Sequence, residues 1–173
     1  MDWFSSTQIV FATGLAVAFL YTYIVHSAVS DHPFIPPAIF TDRNFSIGLV
    51  LMLMLGVHWL AFIALVSPYL QTMAGFPVVT AGLVLVPQGI ANAVSSFLAG
   101  RLLGRLQAAP MMILGVFLMA WAYWQLASFT PEFDRLYFYV VVMAHGAGLG
   151  LYFVPLTVVT FSTLPSRYTD VGT

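Results

Sequence analysis

Long apolar segments alternate with short polar connections along this chain. Five stretches contain about 20 mostly apolar residues each, and none has Asp, Glu, Lys or Arg in its interior. A helix of about 20 residues crosses roughly 30 Å of hydrocarbon, because it rises about 1.5 Å per residue. The pattern predicts an all-α integral membrane protein with five transmembrane helices, at about Thr7–His26, Ser46–Ser67, Val78–Leu98, Pro110–Ala127 and Leu136–Phe161.

Composition and charge support a membrane protein and exclude several other classes. Of the 173 residues, 61% are hydrophobic and 6% are charged, whereas an ordinary soluble domain carries about 25% charged residues. The net charge of −1 indicates no nucleic-acid partner. The absence of cysteine excludes a disulfide framework, a thiolate zinc site and an iron–sulfur centre. A membrane β-barrel is disfavoured because the spans show no alternation of apolar and polar residues.

The arginines predict the orientation of the spans. Arg43, Arg101, Arg105 and Arg167 fall on one side of the membrane if five spans alternate, and Arg135 falls on the other. Cytoplasmic connections are enriched in positive charge. The sequence therefore predicts an N-terminus outside the cell and a C-terminus in the cytoplasm.

Proline and small residues predict irregularity and close packing within the spans. Pro87 lies inside the third span and removes one backbone hydrogen bond, so we expect a kink there. Gly146 and Gly150 are four residues apart in the fifth span, a spacing that lets helix backbones approach closely. The mixed segment Pro37–Phe45 suits a short helix lying in the membrane interface.

An ordered series of motifs carries a resemblance to a known family. The chain resembles the 14-span drug:proton antiporters (EmrB/QacA-like) of the major facilitator superfamily. The resemblance covers essentially the whole chain, since each motif occurs in the expected order and spacing. The motifs are D-W-F-S-S at Asp2–Ser6, H-P-F-I-P-P-A-I-F-T-D-R-N-F at His32–Phe45, P-Y-L-Q-T-M-A-G-F at Pro68–Phe76, A-G-L-V-L-V-P-Q-G at Ala81–Gly89, G-R-L-L-G-R at Gly100–Arg105 and H-G-A-G-L-G-L-Y-F-V-P-L-T at His145–Thr157.

The resemblance implies a domain organisation. Residues 1–27 match the second of two linker transmembrane helices, and residues 28–45 match a cytoplasmic connection that holds the short interfacial helix. Residues 46–173 match a partial C-terminal transporter domain with four transmembrane helices. The chain is therefore expected to be a fragment, with a partial major facilitator fold, in the bacterial inner membrane. The orientation implied by the family agrees with the one predicted from the arginines.

The resemblance also implies a function for the full-length parent, which is proton-coupled export of small molecules by alternating access. The expected partners are a small hydrophobic or amphipathic substrate, protons, the lipid bilayer and the missing transporter half. No enzyme activity, cofactor or metal is expected. The alternative is a non-transporting truncated membrane protein, or a half-transporter subunit that pairs with a separately encoded half. Because the spans contain no carboxylate, the chain alone is not expected to perform proton-driven export.

Four polar residues are candidates for the substrate path. Gln88 and Asn92 lie four apart on one predicted helix face beside Pro87, and His145 precedes a glycine cluster. Gln71 lies by the external end of the second span and is a candidate for an outer gate. The alternative for Gln88, Asn92 and His145 is hydrogen bonding between helices, and for Gln71 it is an ordinary interfacial position.

The segment Gly100, Arg101, Gly104 and Arg105 matches the cytoplasmic loop motif of the superfamily. The family motif pairs an acidic residue with arginines and helps to latch a closed state. Here Gly104 stands where the acid is expected, which puts the latch in doubt. A simple positive-inside anchor is the alternative role for Arg101 and Arg105.

His58 and His145 are the titratable groups well inside the predicted spans. Either imidazole is able to carry a proton near neutral pH, and the simpler alternative is a hydrogen bond to a neighbouring helix. A remote alternative makes them the two axial ligands of a haem in a membrane protein. Acidic residues that would orient a catalytic triad or complete a metal site are absent from the spans.

Overall fold

The computed structural model describes residues 6–30, 37–130 and 134–165, which are almost entirely helical and contain no β-strand. Five helical segments in these ranges are long and apolar enough to cross a membrane, and one of them is the interrupted segment Val78–Leu102. The prediction of an all-α membrane protein with five spans is therefore confirmed. The helices are α1 (Thr7–Val29), α2 (Arg43–Pro68), α3 (Val78–Val84), α4 (Val86–Leu102), α5 (Ala108–Ala127) and α6 (Arg135–Phe161).

The chain divides into two units, of which the first comprises residues 1–43 and 164–173. Its described part contains α1 and a short 3₁₀ helix at Pro37–Thr41. The predicted interfacial helix Pro37–Phe45 is therefore wrong in its extent, because Arg43 already begins α2. Several residues used in the sequence analysis lie outside the described ranges, namely Asp2–Ser5, His32–Pro36 and Arg167.

The second unit comprises residues 44–163 and contains the four helical spans that pack together. Both α4 and α5 pack along α6, which makes α6 the central helix. The start of α2 meets the end of α6, where the Asn44 side-chain amide donates to the carbonyl oxygen of Val159. Further along α2, the side chain of Thr160 lies against Gly48 and fills the space that a Cβ atom on Gly48 would occupy. These contacts set α2 antiparallel to α6.

A buried apolar cluster holds α2, α3 and α6 together at the other end of the unit. Close packing of these side chains stabilises the contact between the helices, because each side chain makes many weak van der Waals contacts. On the α5 side, the backbones of α5 and α6 meet at two glycines. A Cβ atom built on Gly115 would lie 2.6 Å from the carbonyl oxygen of Gly148. The buried cluster consists of Phe62, Val66, Leu70, Ala81, Val84, Phe138 and Val142.

The third span is interrupted at Leu85, two residues before Pro87. Proline has no backbone N–H, so the carbonyl of Leu83 loses the donor that an unbroken helix would supply from position 87. The amide of Leu85 instead bonds the carbonyl of Gly82 at 3.1 Å. The break therefore lies on the N-terminal side of the proline, where the hydrogen bond is missing.

Some predicted span limits require correction. The second span begins at Arg43 rather than Ser46, and continues beyond Ser67 through a π-helical turn at Tyr69–Met73. The fifth span begins at Arg135, one residue before the predicted Leu136, and it ends at Phe161 as predicted. The arginines at helix ends were assigned to connections because hydropathy alone ends a span at the last apolar residue.

Candidate functional site

Three polar side chains from three helices join into one hydrogen-bonded chain inside the second unit. The Nε2 atom of Gln88 on α4 lies 2.9 Å from Nδ1 of His145 on α6. The Nε2 atom of His145 lies 3.1 Å from Nε2 of His58 on α2. His145 is fully buried and Gln88 is 4% exposed, whereas His58 is only partly buried. We call this set the Gln88–His145–His58 chain.

The side-chain amide of Gln88 determines which atoms donate and which accept in the Gln88–His145–His58 chain. The side-chain nitrogen of glutamine only donates, so Nδ1 of His145 accepts. A neutral imidazole carries one hydrogen, which must then lie on Nε2 of His145 and point to Nε2 of His58. These positions are assigned from the hydrogen-bond pattern. Every polar atom of the buried His145 ring is therefore satisfied.

Aromatic rings surround the two histidines. The ring of Phe62 is stacked on His145 with centroids 4.0 Å apart and planes at 15°. Trp59 is parallel to His145 at 6.5 Å. From α5, the hydroxyl of Tyr123 donates to the main-chain carbonyl of His58 at 3.2 Å, which ties α5 to α2 at this level. The histidines thus lie in an aromatic environment contributed by α2 and α5.

Two glycines of α6 allow α4 to approach closely enough for the chain to form. A Cβ atom on Gly146 would overlap the carbonyl oxygen of Gln88 and lie 2.9 Å from its carbonyl carbon. A Cβ atom on Gly150 would overlap the hydroxyl of Ser95 and lie 2.7 Å from the carbonyl oxygen of Asn92. The structure therefore places both glycines on the α4-facing side of α6.

One turn along α4 from Gln88, a cavity of about 460 Å³ opens between α2, α4 and α6. Its polar lining is Asn92 and Ser96, whose hydroxyl donates to Oδ1 of Asn92 at 3.4 Å. Small-molecule sites typically measure about 300–1,000 Å³ and combine apolar walls with a few polar groups. We call this cavity the Asn92 groove. It is lined by Met52, Leu55, Gly56, Trp59, Asn92, Ser96, Leu149 and Phe153.

The substrate-path candidates occupy different places. Gln88 and His145 lie in the buried hydrogen-bonded chain, and Asn92 lies on the groove. Gln71 lies in the π-helical turn, where its amide donates to Ser67 Oγ at 3.0 Å. It is about 20 Å along the helix axis from His58, given about 1.5 Å per residue. The structure therefore brings Gln88 and His145 together, sets Asn92 beside them and leaves Gln71 apart.

The cytoplasmic loop motif is partly helical. Gly100 and Arg101 belong to the last turn of α4, which ends at Leu102, and Gly104 and Arg105 lie in the turn that follows. The third span was predicted to end at Leu98, but the helix continues to Leu102, so the connection that follows it begins later than predicted. The guanidinium of Arg101 lies over the ring of Phe97, 4.4 Å from its centroid. This contact holds the charge at the helix end, beside the apolar surface.

The geometry does not fit the haem alternative. An ion held by two imidazoles needs their nitrogens about 4 Å apart, since each metal–nitrogen bond is about 2.0–2.1 Å long. The facing nitrogens of His58 and His145 are 3.1 Å apart and bonded to each other. Within the described ranges, no group of three or more His, Cys, Asp or Glu residues is placed to hold a metal ion.

Sequence reasoning missed the pairing of the histidines and the role of Phe62. The pairing joins residues 87 positions apart, so no local pattern carries it. Phe62 had a usable signal, because it lies four residues after His58 on α2, and residues at that spacing share a helix face. Trp59 and Tyr123 also pack beside the histidines.

Comparison with known proteins finds relatives among bacterial export proteins. No protein-family model matches the chain. It is 28% identical over 168 residues to the probable multidrug resistance protein EmrY of Escherichia coli K12, an alignment that covers 96% of this chain and 33% of EmrY. It is 30% identical over 166 residues to the multidrug export protein EmrB of the same strain, covering 95% of this chain and 32% of EmrB.

A third relative is the fatty acid resistance protein FarB of Neisseria gonorrhoeae, 26% identical over 162 residues, with 94% of this chain and 32% of FarB covered. These similarities confirm the resemblance to EmrB-like exporters that the motifs indicated. The chain spans about a third of the length of these relatives.

Proposed function

Given this relationship to the EmrB-like multidrug export proteins, we propose that the chain forms part of a membrane exporter of small hydrophobic or amphipathic compounds. Such an exporter works by alternating access, with the substrate bound near the middle of the membrane. The proposal extends beyond what the similarity covers, which is about a third of each relative. Proton coupling and a partner that supplies the remaining helices belong to the same proposal.

The Asn92 groove is the observation that carries this proposal. It lies near the middle of the span Val78–Leu102, and its volume of about 460 Å³ suits a drug-sized molecule. Bulky amphipathic compounds need apolar walls and few fixed polar contacts. Asn92 and Ser96 supply those contacts, and Trp59 supplies a flat aromatic face. Gln88 and His145 support the wall from behind by joining α4 to α6.

The domain assignment is part of the proposal. Residues 1–27 would form a linker span, residues 28–45 a cytoplasmic connection, and residues 46–173 a partial transporter domain. Its support is that the chain divides between Arg43 and Asn44, close to the proposed boundary. Residues from Leu164 onward group with the first unit instead, which disagrees with the assignment at that end.

The orientation and the loop motif are also proposals. With the N-terminus outside, Arg101 and Arg105 lie at the cytoplasmic end of α4, where positive charge is favoured. They would contact anionic lipid headgroups there, and a latch would need an acid from another part of the exporter because Gly104 supplies none. Gln71 would lie at the opposite, external end, as an outer-gate candidate.

Cysteine labelling tests the groove, because the chain has no native cysteine. In the full chain reconstituted in liposomes, we expect the Asn92→Cys thiol to react with a water-soluble maleimide. Tetraphenylphosphonium, an amphipathic cation, should slow that reaction by filling the groove. The matched control is Val94→Cys on the same helix, since Val94 is 54% exposed on the bundle surface and would face lipid.

The labelling pattern decides the proposal. The control thiol should stay unreactive, because a thiolate does not form in lipid. If the Asn92→Cys thiol does not react, or reacts at the same rate with and without the cation, the groove is not a substrate path.

A further inference from the structure

We propose that His58 and His145 form a site that binds one added proton and not two, in the middle of the helix bundle. This inference goes beyond the proposed export function and does not depend on it, because proton binding belongs to the chain itself. It stands on the geometry of the Gln88–His145–His58 chain, on the rings around it and on the capacity of glutamine to reverse its hydrogen bond.

The distance between the two rings sets the capacity of the site. The Nε2 atoms are 3.1 Å apart, which leaves room for one hydrogen between them. When both histidines are fully protonated, each Nε2 carries a hydrogen and neither can accept. Two such N–H groups would face each other and repel, together with two positive charges in stacked rings 5.1 Å apart. A second proton would therefore break the pair.

The position of the added proton follows from the hydrogen-bond pattern. In the neutral state, Gln88 donates to Nδ1 of His145, and Nε2 of His145 donates its hydrogen to Nε2 of His58. The remaining basic nitrogen of His145 is Nδ1. A proton taken from water therefore ends on Nδ1, and the positive charge is shared with His58 through the bridging hydrogen. The Gln88 amide turns over so that Oε1 accepts where Nε2 donated.

Aromatic rings and tyrosines surround the pair. The face of Phe62 lies parallel to His145 at 4.0 Å, within the range of about 6 Å in which an aromatic face attracts a cation. The titratable groups that face the pair are Tyr123 from α5 and Tyr152 from α6, which line a cavity of about 250 Å³ beside His58. The Asp and Arg residues within the described ranges all lie at or beside helix ends.

His58 gives the site an opening, and Gln88 lies beside the break in the third span. His58 is partly exposed to the smaller cavity, so protons can reach the pair from that side. Gln88 lies just after the break at Leu85, in the first turn of α4.

Nitrogen-15 NMR of the full chain, labelled in its four histidines and held in lipid nanodiscs, tests the site. Between about pH 8.5 and about pH 4, we expect the pair to take up one proton, with Nδ1 of His145 changing from a bare to a protonated nitrogen. His58→Asn and His145→Asn assign the signals.

Two substitutions at Gln88 should move the proton affinity in opposite directions. Gln88→Leu removes the acceptor of the protonated state, so we expect the affinity to fall about tenfold. Gln88→Glu supplies a charged acceptor, so we expect it to rise. Mere disruption of packing would move both variants the same way. Gln107→Leu, which changes an exposed amide before α5 whose side chain makes no capping bond, should leave the affinity unchanged.

Uptake of two protons by the pair, or of none in this pH range, would overturn the proposal. So would equal proton affinity in Gln88→Leu and Gln107→Leu. If a Gln88 variant fails to fold, the number of protons taken up by the unchanged chain still decides the matter.

Discussion

A methyl group at Gly146 should separate α4 from α6 at the level of the polar chain. A Cβ atom built there would lie 2.9 Å from the carbonyl carbon of Gln88 and closer still to its oxygen. Ordinary van der Waals contact begins at 3.4 Å. The contact with the carbon alone requires α4 to move away by about 0.5 Å in Gly146→Ala, and the overlap with the carbonyl oxygen requires a larger movement.

That movement has two energetic consequences. Overpacking a close helix contact costs about 1–3 kcal/mol. It also lengthens the bond between Gln88 and His145 from 2.9 Å toward a distance at which hydrogen bonds are lost. A buried acceptor without its donor costs a further amount of about 1–3 kcal/mol. We expect Gly146→Ala to lower the free energy of unfolding by about 2–6 kcal/mol.

The assay is unfolding of the full chain in mixed micelles by increasing mole fraction of dodecyl sulfate, followed by circular dichroism. The matched control is Gly89→Ala on α4, where a Cβ atom would meet nothing within 4 Å. Alanine is the better helix former by up to about 1 kcal/mol, so the control should unfold no earlier than the unchanged chain.

Equal midpoints for Gly146→Ala and Gly89→Ala would refute the reasoning. They would mean that the close approach of α4 to α6 does not support the bundle. A destabilised Gly146→Ala whose His145 ring signals are unchanged would show that packing matters but that the bond to Gln88 does not depend on it.

Three further predictions concern other parts of the molecule. Gly148→Ala should be destabilising in the same titration, because its methyl group would lie 2.6 Å from the carbonyl oxygen of Gly115; a midpoint equal to that of the unchanged chain would contradict this. Replacing Arg101 and Arg105 together by Gln should let a cysteine at Leu106 react with an impermeant maleimide from both membrane faces, rather than from the cytoplasm alone. The chain expressed by itself should give no proton-driven dye efflux, since its predicted spans carry no carboxylate; efflux abolished by collapsing the proton gradient would disprove this.

The number and positions of the spans were predictable because a charged group inside hydrocarbon is costly, so hydropathy marks each helix. Their ends were less predictable. Arg43 and Arg135 begin helices although they are charged, because a terminal side chain can extend to the interface while its backbone stays helical. The break near Pro87 was expected, but its position at Leu85 depends on which carbonyl loses its donor.

The residues of the polar site were predictable from the sequence, but their positions and contacts were not. Gln88 and Asn92 share a spacing that suggests one surface, yet α4 buries Gln88 against α6 and leaves Asn92 on the groove. The separation arises because Gly146 and Gly150 fix the register of the two helices, and such register depends on contacts between residues far apart in sequence. His58 and His145 were both noted as titratable, but their contact requires the positions of three helices.

The most direct test of the account is ligand binding at the Asn92 groove, read through Trp59. In the full chain with the other three tryptophans, Trp3, Trp121 and Trp124, replaced by Phe, tetraphenylphosphonium should quench the fluorescence saturably. A variant that retains only Trp124, which is 77% exposed on the bundle surface, should show only the linear quenching of a lipid-dissolved cation. Linear quenching of equal slope in both variants would contradict a substrate groove in this chain.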